Sequence, residues 1–511
     1  MRRKESPSCP IGFSLSLAHG AILYCRNMRW TLSRISFADR PGSKRTPHNT
    51  RMLRGCLTRA ERERTLDLSC LFPLRMGGDK IPRRHGAPRK SSAEVRTLKH
   101  GCEMGKDVKV TRREFIRGVS AAGAWISVGG LSFAEFGCAP EGKSTIFRVE
   151  DCPQHDGQLR HVGLDTLLDL LSDSGVMFYR THAGHPWAGP AGIIHFNDVV
   201  LIKVNCQWKC RGTTNTDLVR GLIHRILQHP DGFEGEVVII ENGQGQGSFD
   251  GRPSAWGSYA PWPEIDDGVY VNAEDETLLT VDYLVNNVFR DEPVSSYLLD
   301  PVRANFIAET DHGTDGYRSV SEVSYPCFTS AGGHRVELRD GIWNGSGYDS
   351  NLKLINLPVL KTHDGTGITG VLKHSYGILS MADGHSGIRH YLQSGTQCGK
   401  IWSLVRAPDL NILDCIWVSH ESLRGYPPET TRRTNILLAG VDPVALDYYA
   451  SKNVLLPLGG SQAQQHNPDS FSGLMNHLSG AQTFINANGG IAGLPSRQGD
   501  DSIELFTRSA T

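Results

Sequence analysis

Residues 198–204 read DVVLIKV, an apolar and largely β-branched run without helical spacing, which predicts a short strand. A polar loop follows. Across residues 216–228, Leu218, Val219, Leu222, Ile223, Ile226 and Leu227 then recur at the spacing of one helix face. Residues 236–240, EVVII, predict a second strand. Both strands are apolar almost throughout, as strands covered on two faces are, and this predicts parallel pairing. The alternation returns after residue 350, with a strand over 352–360, a helix over 370–379, strands over 410–417 and 435–439, and a helix from about Pro443. Strands that alternate with helices predict an α/β fold with a mostly parallel, doubly wound sheet. Residues 248–350 are rich in Gly, Trp, Tyr and Asp, with helical periodicity only over 276–290, and read as a large loop-rich insertion. Beyond Gly459 the chain is polar, and no element is predicted there.

The N-terminal quarter has a different character. Residues 1–103 show no sustained period and carry basic runs such as RRK and PRRHGAPRK, so they build no core. They read as a disordered extension translated upstream of the true start; a basic nucleic-acid arm is the alternative. From Met104 the chain has the layout of an export signal: a basic segment, a weakly apolar one over 118–134, and small residues at a cleavage site. The Thr111-Arg112-Arg113-Glu114-Phe115-Ile116-Arg117 segment matches the twin-arginine motif. The expectation is therefore a signal peptide over 104–134, passage through the twin-arginine translocase, cleavage after Ala134, and a mature domain over 135–511. That domain would be periplasmic or peripherally attached outside the cytoplasmic membrane. Cys138 follows Gly137 as a lipidated cysteine would, but Glu135 stands where such a site takes an aliphatic residue. No other stretch reaches the 18 or so apolar residues of a spanning helix.

Composition refines this picture. With 39% hydrophobic and 21% charged residues, the bulk of the chain has the makings of a folded core. The formal charge of zero hides a basic leader and an acidic body, and an acidic body gives no reason to expect nucleic acid as a partner. Seven of the twelve cysteines lie beyond residue 103: Cys138, Cys152, Cys206, Cys210, Cys327, Cys398 and Cys415. An odd number in an oxidising compartment leaves at least one thiol free or modified. No C-x-x-C-x-x-C run occurs, so a ferredoxin-type iron–sulfur module is not expected. Cys206 and Cys210 are candidates for a disulfide or for half of a metal site.

Candidate chemistry gathers at strand ends, where open α/β sheets bind ligands. Lys203 and Asn205 close the first strand, and the Arg211–Thr216 loop adds hydroxyls and amides before a helix N-terminus, suited to an anion. The Glu241-Asn-Gly-Gln-Gly-Gln-Gly247 segment is no dinucleotide fingerprint, because Ser248 replaces the last glycine of the motif and no helix follows. Most informative is PVLKTHDGTGITGVLKHSYG at 358–377, a strand ending in Lys361-Thr362-His363, then a Gly/Thr loop with Thr369 and Gly370, then Lys373 and His374. Lysines neutralise an anion there, helix amides hold it, and His363 serves as acid/base; His374, His385 and His390 lie downstream. Asp442 before Pro443 reads as a helix N-cap, while Asp447 and Asp414 are carboxylates free to meet the lysines or a divalent cation.

Taken in order, VLIKVN, TTNTDLVRGLI, IIENGQG, LPVLKTHDGTGITGVLKHSYG and ILLAGVDPVALDYYA resemble the exported proteins of the domain of unknown function family DUF362, over about residues 195–455. The family commonly has Asn after the last lysine of the most specific block, where this chain has His374. The resemblance implies the fold and export, but no reaction. Twin-arginine export carries folded proteins, often after a cofactor is loaded, which points to a divalent or transition metal with Cys206, Cys210, Asp442 and Asp447 as candidate ligands. The reading these residues support is an exported enzyme acting on a small phosphate or carboxylate. Its site would comprise His363, Lys361 and Lys373 as catalytic residues, and Lys203, Asn205, Thr362, Thr369 and Gly370 as binding residues. A non-catalytic anion- or metal-binding protein and a redox-assembly partner using Cys206 and Cys210 are the alternatives.

Overall fold

The structure, a computed structural model, describes residues 142–511 apart from 156, 209, 243–271, 275–278, 384–388 and 492. The upstream extension, the twin-arginine segment, Cys138, the whole of the Gly243–Gly247 stretch and His385 lie outside the described residues.

A ten-stranded sheet organises the chain. Its main path runs Ile503–Ser509, Ser144–Glu150, Thr431–Gly440, Leu410–Ser419, Leu352–Asn356, Val199–Lys203, Glu236–Glu241 and Val294–Leu298. Pairing is parallel from Leu410–Ser419 through Val294–Leu298, and antiparallel on both sides of Thr431–Gly440. The class is α/β as expected, with a mixed sheet. Along Val199–Lys203, Val199 and Leu201 join one buried apolar cluster and Val200 and Ile202 another, so the sheet has a core on each face. The second cluster is closed by the helices Val162–Asp173 and Thr216–Leu227. The first is closed by Ser394–Lys400, Pro443–Ala450 and Gly473–Ala487, together with a five-stranded antiparallel sheet over 316–349.

Local chemistry explains several element boundaries. Asn215 caps Thr216–Leu227 by accepting from the Leu218 amide at 3.0 Å, with Asp217 in the first turn and Arg225 in the last complementing the helix dipole. The strand expected over 352–360 is two strands, Leu352–Asn356 and Val359–His363. Pro358 has no N–H to donate to a ladder, and the strand breaks there; both pieces run parallel to Leu410–Ser419, in one register through Val359 and in a shifted one from Lys361.

Three further expectations are corrected. The described part of the region expected to be a loop-rich insertion contributes Val294–Leu298 to the main sheet, and its residues 316–349 build the second sheet. The helix expected over 370–379 is a single 3₁₀ turn, Lys373–Gly377. The segment beyond Gly459 carries the helix Gly473–Ala487 and the edge strand Ile503–Ser509, which pairs in parallel with Ser144–Glu150. Leu474, Leu478, Ala481 and Ile485 of that helix are wholly buried, a helical period present in the sequence but diluted by polar neighbours.

Candidate active site at the carboxyl ends of the parallel strands

Lys203, Glu241 and His363 each terminate a strand, and all three strands run parallel within the main sheet. A cavity of about 270 Å³ opens there, lined by Asn205, Glu241, Lys361, His363, Lys373 and His374 among others. Of the residues expected to catalyse or bind, the walls include Lys361, His363, Lys373, Asn205 and Thr369. Exposure separates floor from mouth: Lys361, Lys373, Glu241 and His374 are buried, whereas Tyr391 is 47% exposed.

Lys203 does not face the cavity. Its ammonium contacts the Glu241 carboxylate and also donates to the Val204 carbonyl at 2.6 Å and to His374 Nε2 at 3.1 Å. Burial pushes Lys203 down and Glu241 up, and their contact opposes both shifts. His374 is held by Asn356: its Nδ1 lies 2.6 Å from Asn356 Oδ1, while Asn356 Nδ2 donates to Asn411 Oδ1 at 2.9 Å and Asn411 Nδ2 donates to the Gly440 carbonyl at 2.9 Å. That chain of donors fixes the tautomer, with the His374 proton on Nδ1 and the Nε2 lone pair toward Lys203. Burial, then the Lys203 charge, keeps His374 neutral.

Lys361 and Lys373 are different. Lys361 Nζ donates to Asn205 Oδ1 at 3.2 Å and to the Gly212 carbonyl at 2.5 Å. Lys373 Nζ donates to the His390 carbonyl at 2.6 Å and sits 3.9 Å from the centre of the Tyr376 ring. Among the described residues, neither is in an ion pair. Burial pushes each down to about 7. His363 lies in the field of both lysines, and its Nδ1 donates to the Asp364 carbonyl at 2.7 Å, leaving Nε2 as the unprotonated nitrogen.

The loop after Val199–Lys203 acts otherwise than expected. Four of its donors are used within the protein: Thr213 Oγ1 on the Cys210 carbonyl, Thr214 Oγ1 on the Leu357 carbonyl, the Thr214 amide on the Asn205 carbonyl and the Asn215 amide on Asp414. What this loop gives the site is acceptors, Asn205 Oδ1 and the Gly212 carbonyl, both for Lys361. The amides of Val371 and Leu372, expected to hold an anion, instead donate to the two oxygens of Asp447 at 2.6 and 3.0 Å. A Cβ on Gly370 would collide with Asp447 Oδ1, so Gly370 serves this close approach. Thr362 points away, its hydroxyl 2.9 Å from His466 Nε2.

The candidate metal ligands are not gathered. Asp442 accepts from the Val444 and Ala445 amides, Ser144, Ser496 and the Arg497 amide. Cys206 and Cys210 are buried and outside the cavity wall. Among the described residues, no group of three or more His, Cys, Asp and Glu side chains is placed to hold one ion. Asp414 caps backbone amides of Asn215 and Ile416 and is pushed up to about 7 by burial. Sequence reasoning did not name Glu241 as a site residue, nor the lining residues Trp208, Met381, Tyr391 and Leu423. Glu241 had a signal, since it ends a strand as Lys203 does; the other four lie outside the strands and carry none.

Residues 348–452 match the family model of the domain of unknown function DUF362. This DUF362 segment supplies Lys361, His363, Thr369, Lys373 and His374, whereas Lys203, Asn205 and Glu241 come from strands ahead of it. No curated protein and no solved structure matches the chain. Among the described residues, no helix is long and apolar enough to cross a membrane.

Proposed function

We propose that this is an exported enzyme whose cavity takes a small anionic substrate, a phosphate or a carboxylate. One observation carries the reading: Lys361 and Lys373 are buried at the wall of one cavity, are held only by neutral acceptors among the described residues, and act together on His363. Burying an ammonium without a counter-charge is costly. An anion entering the cavity supplies that charge to both lysines, and this offset is the source of its affinity. His363 Nε2, unprotonated and facing the same space, accepts or returns a proton on the bound molecule. The Lys203–Glu241 pair and the His374–Asn356–Asn411 chain set the floor in one arrangement.

Export is part of the proposal and rests on Arg112 and Arg113 and the segment that follows them. A metal is not part of it: Asp442 and Asp447 are committed to backbone amides, and Cys206 and Cys210 are buried outside the wall. The redox-assembly alternative has the same difficulty, because burial pushes the Cys206 thiol well up and makes it a poor nucleophile. The test is titration of inorganic phosphate and of small carboxylates into the full chain, followed by incubation and product analysis. Binding that disappears in Lys361→Ala, in a variant that still unfolds cooperatively, supports the site. Ligand recovered unchanged from every panel member favours a binding protein over an enzyme.

A further inference from the structure

We infer that Lys361 is a carbonyl-trapping amine and that the anionic substrate is an oxo acid, its acid group held by Lys373 and its carbonyl carbon bonded to Lys361 as an imine. This rests on the anion reading above and deepens it.

The three lysines around the cavity are set up for three tasks. Lys203 has a carboxylate in contact and is out of the cavity wall, so it is a fixed counter-ion of Glu241. Lys373 sits over the face of Tyr376, and a ring face stabilises the charged form of an amine. Lys361 has neither partner. Its two acceptors, Asn205 Oδ1 and the Gly212 carbonyl, use two hydrogens, which is all that an uncharged amine has. The remaining position, the lone pair of the amine, has no further hydrogen-bond partner among the described residues, and the side chain lines the cavity. Burial disfavours its ammonium; the nearby Glu241 carboxylate opposes that effect and is only partly offset by the Lys203 charge, so desolvation is what holds Lys361 down. Desolvation of this kind is how a lysine becomes a nucleophile near neutral pH.

The proton carrier is on the same strand. Lys361 and His363 are two residues apart in Val359–His363, so they project from one face, and both line the cavity. In the step, the Lys361 nitrogen attacks the carbonyl carbon and a C–N bond forms as the C=O π bond breaks. The two amine protons leave nitrogen in turn through His363 Nε2 and arrive on oxygen. The C–O bond then breaks, water departs and the C=N bond closes. Amine and carbonyl become imine and water, with no change of oxidation state and no co-reactant. Lys373 fixes the acid group beside this centre, which selects an oxo acid over a neutral aldehyde or ketone.

The experiment treats the full chain at pH 8 with pyruvate and sodium borohydride, maps the modified lysines by peptide mass spectrometry, and measures pyruvate and phosphate binding by calorimetry. The expected result is a carboxyethyl adduct on Lys361, at least about 10-fold above any other lysine and reduced by a similar factor in Lys373→Met. Wild-type mapping decides the point even if a Lys361 variant fails to fold. Pyruvate that binds without an adduct on Lys361 overturns the covalent step and leaves the anion reading standing. Phosphate that binds while pyruvate neither binds nor reacts overturns the oxo-acid assignment. If neither binds, the anion reading falls and takes this inference with it.

Discussion

Asp447, in the helix Pro443–Ala450, accepts hydrogen bonds from the Val371 amide at 2.6 Å and the Leu372 amide at 3.0 Å. The two residues that follow those amides are Lys373 and His374, both in the cavity wall. A wholly buried carboxylate therefore holds the backbone that aims two functional side chains, and it fills the place where helix amides were expected to meet an anion. In Asp447→Asn one acceptor becomes a donor facing an amide. A buried amide left unpaired costs about 1–3 kcal/mol, so thermal or denaturant unfolding should show a loss of that size, together with weaker anion binding.

Lys361 and Lys373 should be binding residues that the unliganded protein tolerates poorly. Lys361→Met and Lys373→Met each remove a charge-assisted contact worth about 1.5–3 kcal/mol, so phosphate or carboxylate affinity should fall about 10- to 100-fold. Denaturant midpoints should stay level or rise, because an apolar side chain replaces a buried ammonium without a counter-charge. A variant with lower stability and unchanged affinity would refute the assignment.

The pH dependence has a definite sign. Both lysines are held at about 7 in the folded protein, against an ordinary value of 10.5. The unfolded chain binds more protons across that interval, so their contribution makes stability rise with pH from about 7 to 10.5 and level off outside it. Anion affinity runs the other way. It depends on the charged forms and should weaken above pH 7, by about tenfold per pH unit for each lysine that must be charged. Calorimetric titrations between pH 6 and 9 read the slope, and the Met variants should flatten it.

Gly377 lets the Lys373–Gly377 turn rest on the Lys203–Glu241 pair. A Cβ there would collide with Lys203 Nζ and lie 2.5 Å from Glu241 Oε2. Gly377→Ala should force the pair apart and cost about 1–3 kcal/mol, read by chemical denaturation, with a loss of anion affinity because Glu241 lines the cavity.

The thiols bear on the redox alternative. Cys206 and Cys210 are buried, with Cys206 among the apolar residues beneath the Val162–Asp173 and Thr216–Leu227 helices. Alkylation of the native chain followed by peptide mapping should leave both unlabelled, and denaturant should expose both. Rapid native labelling at Cys206 would revive a thiol-based function.

The parallel strands were legible because Val199–Lys203 and Glu236–Glu241 are apolar on both faces, and a short β-branched run of that kind is stable only when both faces are covered. Lys361 and His363 were legible for a related reason: polar side chains at the end of an apolar strand need a purpose. The register shift between Val359 and Lys361 and the shortened 370–379 helix were not, because both depend on partners distant in sequence, Leu410–Ser419 and Asp447. Asp447 was the hardest to place, since nothing local to Leu446 or Tyr448 shows that its acceptors will be met by amides 75 residues away. Lys203 likewise needed Glu241, 38 residues on, to show that its charge is already spent.

The most direct test is calorimetric titration of inorganic phosphate and pyruvate into the wild-type full chain and its Lys361→Met/Lys373→Met double variant at pH 6.5. Saturable binding by the wild type, and none by a double variant that unfolds cooperatively, is the predicted result. Equal affinity in the two proteins, or no binding by either, would contradict an anion site at these lysines.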